Sequence, residues 1–168
     1  MSSRPRILLV DDKAATRTAV ARMLKSKYEI YESDDGSAAL ARIKGGERFD
    51  LILMDVEMPI VNGPEAYRRI AIMEPELAER IVFLTGGARD PDIQEWLGRL
   101  EPGRLLWKPV GAAELREALE RIEGKIGRIS RGPSSNKIRA DAPKGSVGKI
   151  KAASSGKIQK AEPSKRTR

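Results

Sequence analysis

Three aspartates, a threonine and a lysine each stand directly after a short apolar run. Asp11 and Asp12 follow Ile7-Leu-Leu-Val10, Asp55 follows Leu51-Ile-Leu-Met54, and Thr85 closes the run that begins Ile81-Val-Phe-Leu84. Lys108-Pro109 follows Leu105-Leu-Trp107. Singly, each has an ordinary structural use: an Asp pair caps a helix, a lone Asp or Thr makes a turn, and Lys-Pro starts a loop. Jointly, at the ends of successive apolar runs, they describe a reaction site. Carboxylates packed within a few ångströms repel unless they share a divalent cation, and an all-oxygen set favours Mg²⁺ over softer metals. Asp55 is then placed to attack phosphorus and form an acyl phosphate. Lys108 and the ion would neutralise the transferring group, and Thr85 would hydrogen-bond one of its oxygens.

Such a site needs elements that deliver five side chains to one edge. The quartets Ile7–Val10, Leu51–Met54 and Ile81–Leu84 read as strands buried on both faces of a parallel sheet. Tyr28–Tyr31 and Leu105–Trp107 read as weaker strands nearer the edges. Helical spacings separate them: Val20, Met23 and Leu24; Leu40 and Ile43; Ala66, Ile70 and Met73; Ile93, Trp96, Leu97 and Leu100. The last helix carries Leu115, Ala118, Leu119, Ile122 and Ile126 on one face. Asp90-Pro91 and Gly63-Pro64 mark helix starts, Gly45-Gly46 ends the second helix, and Gly124 can end the fifth. Five βα units predict an α/β doubly wound open sheet, with its crevice beyond the carboxyl ends of the strands.

Composition narrows the chemistry further. The 168 residues include no cysteine and no histidine. Thiolate nucleophiles, Ser-His-Asp hydrolysis, imidazole metal ligation and a phosphohistidine on this chain are thereby excluded. No apolar run approaches the roughly 20 residues of a membrane span. The start is too short for a signal-peptide core, so a cytoplasmic protein without membrane insertion is expected. The net charge of +8 is divided unevenly. Residues 125–168 hold 13 Lys and Arg against 2 acidic side chains, whereas residues 1–124 hold 19 against 22. All seven aromatics lie at or before Trp107. The expected organisation is a mildly acidic globular domain over 1–124 and a basic, low-complexity, unfolded tail over 125–168.

With these residues in place, the first 124 positions resemble the receiver domain of bacterial response regulators. The likeness rests on Ile7-Leu-Leu-Val-Asp-Asp12, Asp50-Leu-Ile-Leu-Met-Asp-Val-Glu-Met-Pro59 with Gly63, Phe83-Leu-Thr-Gly86 and Lys108-Pro109. It implies a (βα)₅ flavodoxin-like fold with strand order 2-1-3-4-5 and a cis Lys108-Pro109 bond. It implies phosphorylation of Asp55 by a partner histidine kinase or phosphotransfer protein. It also implies Mg²⁺ held directly by Asp12 and Asp55, through water by Asp11, and by the backbone carbonyl of Glu57. No enzymatic activity is expected beyond the receiver's own phosphorylation and dephosphorylation. A haloacid-dehalogenase-type phosphatase would want Asp-x-Asp after the first strand, which Asp11-Asp12-Lys13 does not supply. No Gly-x-x-x-x-Gly-Lys-Ser/Thr run is present for a P-loop enzyme.

The sequence departs from the family pattern at several points. Leu105 stands where the family usually carries Tyr or Phe, with Trp107 two residues later on the same strand face. Either Leu105 is a core residue beside a packed Trp107, or the aromatic switch is weakened or relocated. Glu57 and Gly87, each two past a site residue, border the path of a hydrolytic water and are expected to tune phosphoryl lifetime. Gly111 replaces a capping Ser or Asp, leaving only Glu114 of a capping box. In the tail, Lys-Ile recurs at 125, 137, 149 and 157. Two outputs are consistent with this organisation. One is a separate, single-domain relay that docks a downstream protein through its last helices and strand. The alternative is a phosphorylation-regulated, electrostatic nucleic-acid-binding protein with the tail as effector.

Overall fold

The computed structural model describes residues 4–129. The predicted tail beyond position 129, with three of its four Lys-Ile units, lies outside the described residues. Eleven elements follow in order: β1 (Arg6–Val10), α1 (Ala14–Leu24), β2 (Glu29–Ser33), α2 (Gly36–Lys44), β3 (Leu51–Asp55) and α3 (Gly63–Met73). Then come α4 (Pro75–Ala78), β4 (Ile81–Thr85), α5 (Pro91–Gly98), β5 (Leu105–Trp107) and α6 (Ala112–Ile129). All strands are parallel, in the order β2-β1-β3-β4-β5, so the two weaker strands are the edges. Among the described residues no helix is long and apolar enough to cross a membrane.

Alternation along the strands builds two cores, one on each face of the sheet. Leu8, Val10, Ile52, Met54, Ile81 and Phe83 point to the face covered by α2, α3, α4 and α5. Ile7, Leu9, Leu51, Leu53, Val82 and Leu84 point to the face covered by α1 and α6. Every residue of β3 and β4 is buried, which is why these segments are apolar without a break until Asp55 and Thr85. At roughly 1.5–3 kcal/mol for each large apolar side chain buried, the central strands are the least movable part of the molecule.

Several local expectations are corrected. Among the described residues the helices number six, because Pro75 drives Glu74 out of helical geometry (φ −140°, ψ 73°) and starts the one-turn α4. The last helix does not end at Gly124 but continues to Ile129. The second strand begins at Glu29, and Tyr28 is instead a buried core residue preceding it. Met73, expected on the buried side of α3, is 41% exposed. By contrast, Gly63-Pro64 opens α3, Asp90 caps α5 and Gly45 ends α2 as expected, and the Asn62 side chain caps α3 by accepting from Glu65 N–H.

A buried arginine locks the far end of the sheet. Arg104, 6% exposed, donates from Nε to the Ile81 carbonyl at 3.1 Å and from Nη2 to the Ala78 carbonyl. Its guanidinium lies 5.5 Å from the Tyr67 ring centre and 3.8 Å from a Glu79 carboxylate oxygen. Truncation would leave two inward carbonyls without partners. Arg104→Ala is expected to lose about 3 kcal/mol in urea denaturation, with ligand binding at the opposite end of the sheet unchanged.

Candidate functional site

Strand register decides which side chains meet. Val10 lies opposite Met54 and Asp55 opposite Leu84, so Asp11, Asp55 and Thr85 emerge at one level. Thr85 pairs with Trp107, and Lys108 N–H donates to the Thr85 carbonyl at 2.7 Å, bringing the lysine to the same edge. The Lys108-Pro109 bond is cis. Gly63 is required by packing: a Cβ there would sit 2.7 Å from the Asp55 carbonyl oxygen and 2.9 Å from Val56 Cα.

The five predicted residues converge. Lys108 Nζ is 2.6 Å from Asp11 Oδ2 and 2.9 Å from Asp55 Oδ1. Carboxylate oxygens of Asp11, Asp12 and Asp55 lie within 4.8 Å of one another. Asp11 and Asp55 are buried and Asp12 is exposed. Neither aspartate of the pair caps α1. Lys13 is its N-cap residue without a side-chain bond, and Asp11 Oδ1 accepts from Lys13 N–H at 2.8 Å. Thr85 does make the turn that its bland reading anticipated, since its Oγ1 accepts from Gly87 N–H at 3.1 Å. Gly87 holds φ +110°, a conformation other residues rarely adopt.

Burial and charge pull against each other here. Desolvation pushes the Asp55 carboxyl above its ordinary value, Lys108 pulls it down, and Asp11 pushes it up again. Burial alone would lower the Lys108 ammonium, but its bonds to Asp11 and Asp55 outweigh that and raise it. Both oxygens of Asp11 are already engaged. Asp55 Oδ2 is buried without a hydrogen-bond partner. An orphaned carboxylate oxygen in a cluster of three acids is where a hard cation would gain most. Among the described residues no donor reaches the Glu57 carbonyl either. The donor set, all oxygen and rich in negative charge, fits a hard divalent ion such as Mg²⁺.

Other parts of the site were not legible beforehand. Arg17, on α1, donates to the Asp11 carbonyl at 2.7 Å and pairs with Glu32, bracing the acidic loop against β2. Glu57, expected to act near the hydrolytic water, has its carboxylate bonded to Arg89 N–H at 3.1 Å. Leu105 packs on the α5 side of the sheet beside an aromatic cluster in which Phe83 meets Trp96 edge-on, centres 4.9 Å apart, with Tyr67 against both. Trp107 is not packed beside Leu105: it is 58% exposed on the edge strand.

Comparison with known proteins agrees with this geometry. Residues 7–120 match the response regulator receiver domain family. The response regulator receiver protein CpdR of Brucella abortus is 38% identical over 121 residues, covering 70% of this chain and 95% of that protein. The CAI-1 autoinducer sensor kinase/phosphatase CqsS of Vibrio cholerae is 44% identical over 72 residues, 42% of this chain. The chain spans only about a tenth of the length of that kinase and of the histidine kinases it also matches. Among solved structures, the chemotaxis protein CheY4 of Vibrio cholerae is 26% identical with a TM-score of 0.57, covering 71% of this chain and 99% of that one. A CheY-like receiver from Methanospirillum hungatei is 25% identical with a TM-score of 0.61, covering 77% and 98%. From its strand order, its strand-end residues and these likenesses together, the chain belongs to the response regulator receiver family, the receiving module of phosphorelay signalling.

Proposed function

We propose that this receiver accepts a phosphoryl group on Asp55 from a histidine kinase or phosphotransfer protein in an Mg²⁺-dependent reaction. The observation that carries the reading is the pairing of Lys108 with Asp55 and Asp11 beside an orphaned, buried Asp55 oxygen. Asp12 and Asp55 would hold the ion directly, Asp11 through water and Glu57 through its carbonyl. When bound, the ion supplies positive charge against three carboxylates and the transferring phosphoryl oxygens. A carboxylate oxygen of Asp55 forms the new P–O bond as the donor's P–N bond breaks, and the departing imidazole takes up a proton. Lys108 stabilises charge on the phosphoryl oxygens, and Thr85 donates its hydroxyl proton to one of them after leaving its own turn. These roles are assigned by side-chain chemistry and by the family to which the chain belongs.

The chain has no histidine, so the donor imidazole lies outside these 168 residues. An apolar groove of about 510 Å³ runs along Ala15, Ala19 and Met23 of α1, past Pro109 and Val110, and ends at Lys108. We assign it to a helix of the phosphodonor protein, because a helix seated there brings its side chains to the lysine. The downstream protein is proposed to dock on the region of α5, β5 and α6, where Trp107 is exposed. The alternative output, a nucleic-acid-binding arm, rests on the net charge of +11 over 125–168 and on no other observation.

Acetyl phosphate with Mg²⁺ should give one base-labile adduct, measured by intact mass. Asp55→Ala should abolish it, and Asp12→Ala should reduce it at least tenfold through weaker ion binding. Undiminished labelling of Asp55→Ala protein would remove the assignment. Ala19→Arg, on an exposed helix position, should leave acetyl phosphate labelling intact. Against a phosphorylated histidine phosphotransfer domain that labels the wild type, the same variant should be slowed at least tenfold. Equal slowing with both donors would place the groove outside partner recognition.

A further inference from the structure

Two loops flank Asp55, one joining β3 to α3 and the other joining β4 to α5. Among the described residues, one side-chain hydrogen bond ties them together: Arg89 N–H donates to the exposed Glu57 carboxylate at 3.1 Å. The second loop is braced at its other points as well. Gly87 N–H occupies Thr85 Oγ1 at 3.1 Å, and the Gln94 side-chain amide donates to the Ala88 carbonyl at 2.7 Å. The Asp90 carboxylate accepts from Asp92 and Ile93 N–H at the start of α5. In this arrangement Thr85 is bonded within its own turn, the loop is fastened to α5, and its middle is fastened to Glu57.

We propose that Glu57 is a latch. Its carboxylate is a positioning residue that holds the β4–α5 loop in the resting conformation and releases it when Asp55 carries a phosphoryl group. The inference rests on the reading of Asp55 as phosphoacceptor. A phosphoryl group carries about −1.5 to −2 charges, in place of the single negative charge of the carboxylate it caps. Glu57, two residues away in sequence, meets a more negative neighbour and is raised in energy while it stays clasped. Water is an adequate alternative for this exposed carboxylate, and the freed Arg89 N–H is hydrated as the loop moves. Only a released loop lets Gly87 withdraw from Thr85, so that the hydroxyl can turn to the phosphoryl oxygen. The signal then travels to α5, which the loop grips through Ala88 and Asp90. Because Leu105 offers no aromatic ring to follow Thr85, α5 with Trp96 against Phe83 is the element left to report the change.

The test uses amide hydrogen exchange by NMR on the full chain with Mg²⁺, with and without beryllofluoride as phosphoryl mimic. In the wild type the Arg89 amide should exchange roughly tenfold faster once the mimic is bound, in line with loss of a charge-assisted hydrogen bond. Glu57→Ala should exchange fast in both states and bind the mimic about three- to tenfold more tightly, having no latch to open. Glu57→Gln keeps an acceptor oxygen without the charge to be repelled, so Arg89 should stay protected in both states. Mimic binding with Arg89 protection unchanged in the wild type would overturn the latch, as would unaltered affinity in Glu57→Ala. A wild type that takes up no mimic would overturn both the latch and the phosphoacceptor reading, which distinguishes the two failures.

Discussion

The molecule is organised around a concentration of negative charge at the ends of two adjacent buried strands. Asp11 and Asp55 emerge from β1 and β3 with Asp12 beside them, and one ammonium group, Lys108, is bonded to the two buried carboxylates. Three acids and one cation leave a deficit of positive charge where water is largely excluded. Burial first, and the Asp11 charge after it, raises the Asp55 carboxyl, while the bonds to both carboxylates raise the Lys108 ammonium. The deficit also gives a divalent cation, and after it a phosphoryl group, something to complete. The rigid central strands make the arrangement persist, because relaxing it would mean moving side chains that are wholly buried.

The rest of the fold serves this edge. Register along β1, β3 and β4 sets Asp11, Asp55 and Thr85 level, and the short β5 brings Lys108 back across Thr85. Gly63 allows α3 to start against the Asp55 carbonyl, where a side chain would collide. Arg104 closes the opposite end of the sheet by donating to the carbonyls of Ala78 and Ile81. The β4–α5 loop above the site is held in part by bonds of another kind, from Glu57, Asp90 and Gln94 at the surface, with water as a competitor. A stiff base under a detachable loop is suited to a switch.

Most of the site was legible in the sequence because its residues follow apolar runs, and an apolar run in a parallel sheet has a readable end. The β3 run stops at Asp55 and the β4 run at Thr85, so counting along the strand was enough to place them. Legibility failed where the outcome depends on which way one side chain turns. No pattern in the sequence singles out Arg104, which is buried with its guanidinium on the carbonyls of Ala78 and Ile81, more than twenty positions away. One of the two readings of Trp107 packs it beside Leu105, yet at the end of a three-residue edge strand it is exposed. The bond between Glu57 and Arg89 spans 32 positions and joins two loops without hydrophobic periodicity. Pattern has no purchase on such a contact.

The central claim is that Lys108 and a divalent ion share one charge deficit centred on Asp55. Calorimetric titration of Mg²⁺ into wild type, Lys108→Met and Asp55→Asn protein tests it most directly. Removing the competing ammonium should tighten Mg²⁺ binding at least about tenfold, since a unit charge a few ångströms from a divalent ion has that effect even at the dielectric of water and a larger one where water is excluded. Removing the Asp55 charge should weaken binding by a similar factor or more. Mg²⁺ affinity indifferent to both substitutions would contradict the account, because the ion would then be bound away from the strand ends.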